Sequence, residues 1–426
     1  MTATPWGELQ QLCSHRLKPG PGNERERVDR NQRERVYAAL VATVAERGYA
    51  STRVADVIAR AGISRSTFYR HFDNLDACFL RALDGIAAGA EATMSAALES
   101  DGVWDERLRA YFAALIDLVI AQPAAARLCL VEAYVAGPDA VARVDRMARA
   151  IGRRALRVFE ESPERSGMPR DVARAVLGGL RTVIMIRLHD GRVDELPALA
   201  PELMDWALGY RPPPVPLGVP DSAPPAPQLP PRAADGPCER ILEAMATVVA
   251  REGYAGTTIT EIAEVGAMSL TTFYDCFDGK EAAFLATLDD AMLRLLDVAL
   301  PVYRAAGNWP HGIRDGLTAL LAYLSSDSAT ARFAAEAVWA NVPGALSRLH
   351  ESMASFQALL AEGLRRRSQG SSVAAEAIGA SILSLGYEDL GRRGAAALYE
   401  LAPPAAFVAL APAIGAIEAC AVVNGP

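Results

Sequence analysis

The chain has 426 residues, 51% of them apolar and 7% aromatic, with a net charge of −8 and a sequence pI of about 5.4. That length exceeds one ordinary hydrophobic core and predicts two or more domains. The acidic balance excludes a generally basic nucleic-acid coat, but it leaves room for a local basic element on an acidic body.

Residues 1–27 form a polar lead with Pro and Gly. It reads either as a disordered tail or as a flexible arm in which Arg16, Lys18, Arg25 and Arg27 reach DNA phosphates or a minor groove. From Val28 a helix is expected, with Val36, Leu40, Val41 and Val44 at helical spacing and a stop at Gly48. Thr52 opens a second short helix carrying Val54, Val57 and Ile58. The run Ala61-Gly62-Ile63-Ser64 then supplies a left-handed turn, an apolar plug and a serine cap for a third helix, Arg65 to Phe72. A fourth helix starts near Asn74. Beyond residue 90 long Ala/Leu/Val-rich helical patterns run to Tyr210 with no competing strand pattern. Residues 211–237 hold 11 prolines. They predict an extended, semi-stiff linker reaching roughly 80 Å at about 3.1 Å per residue.

Past the linker the chain repeats itself. Residues 48–84 and 253–289 align without a gap at an offset of 205, with 15 identities in 37 positions. The offset also pairs Trp104 with Trp309, Arg127 with Arg332, Pro138 with Pro343 and Arg143 with Arg348. A period this long marks a duplicated domain pair, since solenoid units recur at about 20–50 residues. The fold class expected is all-α, in two tandem units. Each is a three-helix helix-turn-helix followed by a helical bundle. The expected boundaries are 28–88 and 89–210 for the first unit, and 238–293 and 294–426 for the second.

The stretch SRSTFYRHF at 64–72, echoed by SLTTFYDCF at 269–277, carries the chemistry. A helix that enters the major groove meets base edges with its N-terminal residues. Arg65 suits a guanine, Ser66 and Thr67 suit bases or phosphates, and Tyr69, Arg70 and His71 suit phosphates. Phe68 and Phe72 read as the buried side. The same spacing also fits a short bundle helix with solvated Arg65 and Arg70.

The run TRVADVIARAGISRSTFYRHFDNLDACFL, Thr52 to Leu80, resembles the DNA-binding domain of the TetR family of bacterial transcriptional regulators. TTITEIAEVGAMSLTTFYDCFDGKEAAFL, Thr257 to Leu285, is similar to a divergent second copy. The resemblance implies three helices that read double-stranded operator DNA, with Thr52, Arg53, Arg65, Ser66, Thr67, Tyr69, Arg70 and His71 at the interface. In the second copy Thr257, Thr271, Thr272, Tyr274 and Lys280 hold the matching places. It further implies a variable helical domain that binds a small-molecule effector, usually lowering DNA affinity. A repressor in the bacterial cytoplasm, nucleoid-associated when bound, is therefore expected. The rival is a sensor or protein-interaction module with weak or lost DNA binding. The family commonly has a lysine at the start of the fourth helix; the first copy has Leu75 there, and the second has Lys280.

The copies are unequal. Residues 24–84 hold 11 Arg and 9 acids, net +2, whereas 238–290 hold 3 cations and 10 acids, net −7. Arg65, Arg70 and His71 are matched by Leu270, Asp275 and Cys276, and the turn glycine by Ala267. Cations on the phosphates supply much of DNA affinity, so the second copy is expected to bind DNA weakly or not at all. Pairing is expected as an intramolecular pseudo-dimer or as a homodimer. Leu177-Gly178-Gly179 and Ala380-Ser381 are small faces suited to such a contact.

Elsewhere the signals are weaker. Tyr111, Tyr134, Arg127, Phe333, Arg332 and Trp339 are candidates for an effector pocket, although core packing explains most such side chains. Glu132 and Glu336 lie near the two arginines. Five histidines (15, 71, 189, 311, 350) form no H-x-x-x-H pair, no G-x-S-x-G frame appears, and neither enzyme, metal nor cofactor is expected. Six cysteines (13, 78, 129, 238, 276, 420) without C-x-x-C spacing read as free or buried thiols. No membrane span is expected, because the Ala-rich 395–423 stretch contains Glu400, Glu418 and three prolines and reads as buried helices.

Overall fold

The structure is a computed structural model that describes residues 3–17, 24–99, 101–219, 236–339, 342, 344–365 and 372–425. All regular structure among them is helical. The chain divides into two compact units, Met1–Ser162 with Ile184–Met204, and Pro163–Val183 with Asp205–Pro426.

The first unit opens with α1 (Leu9–Ser14), α2 (Arg25–Arg47), α3 (Val54–Ala61), α4 (Arg65–His71) and α5 (Leu75–Leu98). It continues through α6 (Trp104–Ala121), α7 (Pro123–Arg127), a π turn over Leu128–Glu132, α8 (Ala133–Val135) and α9 (Pro138–Phe159). Helices α10 (Arg170–His189) and α11 (Leu196–Gly209) contribute residues to both units. The second unit holds α12 (Pro237–Gly256), α13 (Ile259–Val265), α14 (Leu270–Cys276), α15 (Lys280–Ala305), α16 (Trp309–Ser326) and α17 (Ser328–Trp339). It ends with α18 (Ala345–Arg365), α19 (Ser372–Arg393), a 3-10 segment Ala395–Leu401, α20 (Ala402–Ile414) and α21 (Ala416–Asn424).

Local chemistry sets the helix ends. Gly48 leaves α2 at φ 72°, its N–H donating to the Val44 carbonyl at 2.8 Å. Gly62 stands in the left-handed region at the end of α3, and the Ser64 hydroxyl accepts the Thr67 N–H to start α4. Asn74 caps α5 through the Ala77 N–H. These stops set the ends of the long α2 and the short α3 and α4, which with α5 bury Val36, Leu40, Val44, Val57, Phe68 and Phe79 in one core with Leu128, Cys129 and Ala133. A fully buried phenylalanine contributes about 1.5–3 kcal/mol relative to exposure. The head and the helices behind it therefore share a core, and the expected boundaries at 88 and 293 fall inside the continuous helices α5 and α15.

Two expectations change. The polar lead is not a free arm among its described residues: α1 packs on α2, with Trp6 stacked on Tyr37 at 4.8 Å and Leu9 against the core. Trp6 and Leu9 have apolar surface enough to fold back, and α2 begins at Arg25 rather than Val28. Lys18 lies outside the described residues. The Pro-rich segment carries no helix over 211–219, as its composition requires, but it is docked. The Gly218 N–H donates to Asn424 at 2.8 Å, and the Asn424 amide donates back to the Pro216 carbonyl. Residues 220–235 lie outside the described residues. Ala395–Ile414 has the length and hydropathy of a membrane span, and 72% of its most apolar window is buried in the protein.

The offset of 205 recurs in contacts as well as letters. The Thr52 and Thr257 hydroxyls donate to the Gly48 and Gly253 carbonyls, both at 2.8 Å. Ser269 caps α14 as Ser64 caps α4. Arg143 pairs with Asp84, and Arg348 pairs with Asp289.

At one turn the copies differ in strain. Gly62 has φ 61°, and its counterpart Ala267 adopts φ 51°, the one non-glycine with positive φ among the described residues. An L-residue there costs about 1–2 kcal/mol. Ala267→Gly is expected to raise the stability of the second unit by about 0.5–1 kcal/mol, and Gly62→Ala to lower that of the first by at least about 1 kcal/mol, as read by urea unfolding. Equal and opposite neutrality in both variants would contradict the strain reading.

Candidate nucleic-acid interface

Helix α4 presents one exposed face, made by Arg65, Ser66, Tyr69 and Arg70, while Phe68 is fully buried on the other. The Ser64 hydroxyl contacts Ser66 at 2.9 Å and Thr67 at 2.8 Å, so the cap also orders the two hydroxyls that follow it. The Arg65 guanidinium lies over the Tyr69 ring at 5.7 Å, which holds cation and phenol together on that face.

The far end of α4 is tied to α2. Arg70 donates to Gln32 at 2.6 Å and to Asp29 at 3.2 Å, and His71 Nε2 shares the same Gln32 oxygen at 3.0 Å. Burial and the neighbouring Arg70 lower the His71 pKa, favouring the neutral ring, which donates from Nε2. The His71 side chain is only 6% exposed, and it joins Arg70 in holding the end of α4 to α2. Arg35 is buried and donates to the Ala61 carbonyl at 2.9 Å, bracing the turn before α4. Gln32 and Arg35 escaped sequence reasoning because they sat among charged residues of α2. The available signal was Gln32 at the i, i+4 place between Val28 and Val36 on the apolar stripe.

The remaining expected contacts divide. Thr52 and Thr257 are buried with their hydroxyls donated to carbonyls, so their side chains do not face a partner. Arg53 is exposed and donates to the Ala50 carbonyl at 2.9 Å. In the second head Leu270, Thr271, Tyr274 and Asp275 form the exposed face of α14, and Thr272 is half-buried. Lys280 turns inward, donating to the Tyr254 and Thr257 carbonyls at 2.9 and 3.0 Å beneath the Tyr254 ring; burial lowers its pKa. Tyr49, by contrast, gives its phenol to Asp76, the residue after Leu75.

Behind each head stands a carboxylate. Glu132 is 1% exposed, accepts the Tyr49 N–H at 2.9 Å and lies 3.3 Å from Arg127. Glu336 accepts the Tyr254 N–H, also at 2.9 Å. Glu132 follows Arg127 by five residues and Glu336 follows Arg332 by four. The π turn Leu128–Glu132 absorbs the extra residue, so both carboxylates reach the same amide.

The residues expected at an effector pocket have the following surroundings. Tyr111 is buried, its pKa pushed up to about 12 by burial; Tyr134 is half-buried; Arg127 pairs with Glu132. Phe333 packs on Phe284 at 5.0 Å, Arg332 is exposed, and the Trp339 side chain lies outside the described residues. A cleft of about 380 Å³ in the first unit is lined instead by Ser95, Leu98, Arg107, Arg154, Arg157 and Glu161, among others. Among the described residues no group of three or more His, Cys, Asp and Glu could hold a metal ion.

The thiol expectation is corrected at one pair. Cys238 and Cys276 form a disulfide with Cα atoms 5.5 Å apart, while Cys13, Cys78, Cys129 and Cys420 are free. Thirty-eight residues separate the two, so linear spacing concealed them; the fold brings the first turn of α12 to the end of α14.

The long α2 and the short α3 and α4, the last capped and cation-bearing, define a helix-turn-helix DNA-binding head. Residues 36–82 match the sequence model described as bacterial regulatory proteins, tetR family. Over 78 residues the chain is 35% identical to the HTH-type transcriptional repressor DhaR of Mycobacterium sp. (strain GP1), covering 18% of this chain and 39% of that relative. Among solved structures it is similar to the transcriptional regulator FadR from Bacillus subtilis in complex with stearoyl-CoA, at 15% identity and TM-score 0.38 over 41% of this chain and 96% of that one. A TetR family regulator from Marinobacter aquaeolei matches at 17% identity and TM-score 0.36 over 44% and 98%.

Glu132→Ala leaves the buried Tyr49 N–H without that acceptor and takes from Arg127 its carboxylate partner, leaving it the Leu188 carbonyl at 3.4 Å. It is expected to destabilise the first unit by about 2–3 kcal/mol in urea unfolding. A loss below about 0.5 kcal/mol would mean that the carboxylate does not hold the head.

Proposed function

We propose that the chain is a DNA-binding transcriptional regulator, a repressor released by a small-molecule effector, in which α4 carries most operator recognition. The observation that carries this reading is the exposed face of Arg65, Ser66, Tyr69 and Arg70 on a serine-capped helix, inside the segment that matches the TetR model. Arg65 addresses a guanine edge, and Ser66 and Thr67 address bases or phosphates. Tyr69 and Arg70 hold phosphates, Arg70 while still braced by Gln32 and Asp29. The repressor sense is supported by the similarity to the transcriptional repressor DhaR, and the place of action is the bacterial cytoplasm.

The second head is a divergent TetR-like copy with weak or no DNA binding. Its exposed helix face offers Leu270 and Asp275 where α4 offers Arg65 and Arg70, on a segment of net charge −7. Leu270 is 45% exposed and Tyr274 56%, which favours a protein-facing role as the alternative for this head.

The two copies pair within one chain as a pseudo-dimer. At the offset of 205, α10 corresponds to α19, and residues 170–183 of α10 pack on α19 inside the second unit. A Cβ on Gly178 would meet Ser384 Oγ at 2.3 Å, and one on Gly179 would meet Ser381 Oγ at 2.2 Å. Arg174 there pairs with Glu388 at 3.3 Å and Asp389 at 3.0 Å. A patch meeting its own counterpart is the geometry of a two-fold interface. Such pairing suits two half-sites about 34–36 Å apart.

Gel shift on the chain's own upstream DNA tests the reading. Arg65→Ala and Arg70→Ala are each expected to weaken binding by roughly tenfold or more, and Arg70→Ala to reduce the salt slope by about 1. Asp275→Arg is expected to strengthen binding, and Thr271→Ala to change it little. Unchanged affinity and slope in both arginine variants would overturn the assignment of α4.

A further inference from the structure

In the first head, the end of α4 is held to α2 by a polar clamp of Arg70 and His71 on Gln32 and Asp29. At the offset of 205 these four positions are Asp275, Cys276, Pro237 and Ala234, and none of the clamp chemistry survives. Ala234 lies outside the described residues. In its place Cys276, the counterpart of His71, is bonded to Cys238, the counterpart of Arg33 one residue along from Gln32. The covalent link thus joins the same two helices at the same end. Both cysteines are half-buried, so a small reagent reaches the sulfurs, whereas Cys78 and Cys129 are buried. Burial pushes the Cys129 thiol up to about 12 and the Cys78 thiol up as well, which leaves neither much thiolate to compete.

We propose that Cys238 and Cys276 form a reversible dithiol–disulfide site whose reactants are low-molecular-weight disulfides and thiols, and whose oxidation fastens α14 to the first turn of α12. One protein thiolate attacks a sulfur of the small disulfide, forming a mixed disulfide and expelling one small thiolate. The second protein thiolate then attacks the protein sulfur of that mixed disulfide and expels the second small thiolate. Two electrons leave the protein, one small disulfide becomes two thiols, and the protein's two thiol protons end on them. Reduction runs the same steps backwards and leaves α14 held by its buried Phe273 side and its cap, with no polar clamp among the described residues to replace the bond. The redox state of the surrounding thiol pool therefore sets how firmly the second head presents its third helix.

The test uses the full chain equilibrated in mixtures of reduced and oxidised glutathione, then quenched in acid, alkylated and digested. The Cys238–Cys276 linked peptide is expected to pass from nearly absent to nearly complete across the series, while Cys78 and Cys129 label only after denaturation. Hydrogen exchange on the same samples is expected to be roughly ten- to a hundredfold slower across 270–277 in the oxidised form, with 65–72 unchanged. Cys238→Ser abolishes that difference and Cys78→Ser preserves it. Absence of the linked peptide at every ratio would overturn the proposal. So would a linked peptide with identical exchange across 270–277 in the two forms. Neither readout depends on DNA binding.

Discussion

A carboxylate accepting one backbone N–H, buried in the first copy and half-buried in the second, ties each head to the helices behind it. Tyr49 and Tyr254 follow the glycines that end the first long helix of their heads, so their amides have lost their helical partners. Glu132 and Glu336 supply the acceptor. A buried amide left without one costs about 1–3 kcal/mol, a large fraction of a domain's net stability. The bundle helix that carries the glutamate cannot shift without moving the head or breaking that bond. The first copy inserts an extra residue here and winds a π turn around it, yet keeps the contact. The shared apolar core, with Phe68 and Phe79 beside Leu128 and Ala133, makes the coupling stiff.

The heads diverge where they face outward and agree where they face inward. Phe68, Phe72 and Phe79 recur as Phe273, Phe277 and Phe284, and both serine caps are kept. The exposed face changes from cations to a leucine and an acid. The support beneath it changes from a polar clamp to a disulfide. Lys280, at a position where a cation suits a phosphate, is instead folded onto two carbonyls. Phosphate attraction scales with the cations brought to the backbone, so the proposed division of labour follows from charge while the framework stays common.

Much of this was legible in the letters. Gly48, Gly62, Ser64 and the aromatic spacing of 68–72 located three helices, because stops, caps and buried rings are local chemistry. The offset of 205 pairs the serine caps and buried rings of 48–84 with those of 253–289, and the small faces at Gly178-Gly179 and Ser381 do sit in close helix contact. Contacts between residues distant in sequence were not legible. The Cys238–Cys276 bond and the Glu132–Tyr49 bond span 38 and 83 positions, and no spacing rule points to either. Nor does a sequence show which polar groups the fold engages: the Thr52 hydroxyl donates to the Gly48 carbonyl, and His71 shares the Gln32 oxygen with Arg70. The lead before α2 was misread because one tryptophan and one leucine outweigh its polar composition.

The central claim is that α4, and not α14, reads the operator. Photo-cross-linking tests it most directly, with a photoreactive side chain placed at Tyr69 or at Tyr274 of the full chain, on DNA selected from a random library by the unmodified protein. The account predicts strong cross-links from position 69, confined to one short motif, and few from position 274. Equal yields from the two positions, or a yield from 274 alone, would contradict it.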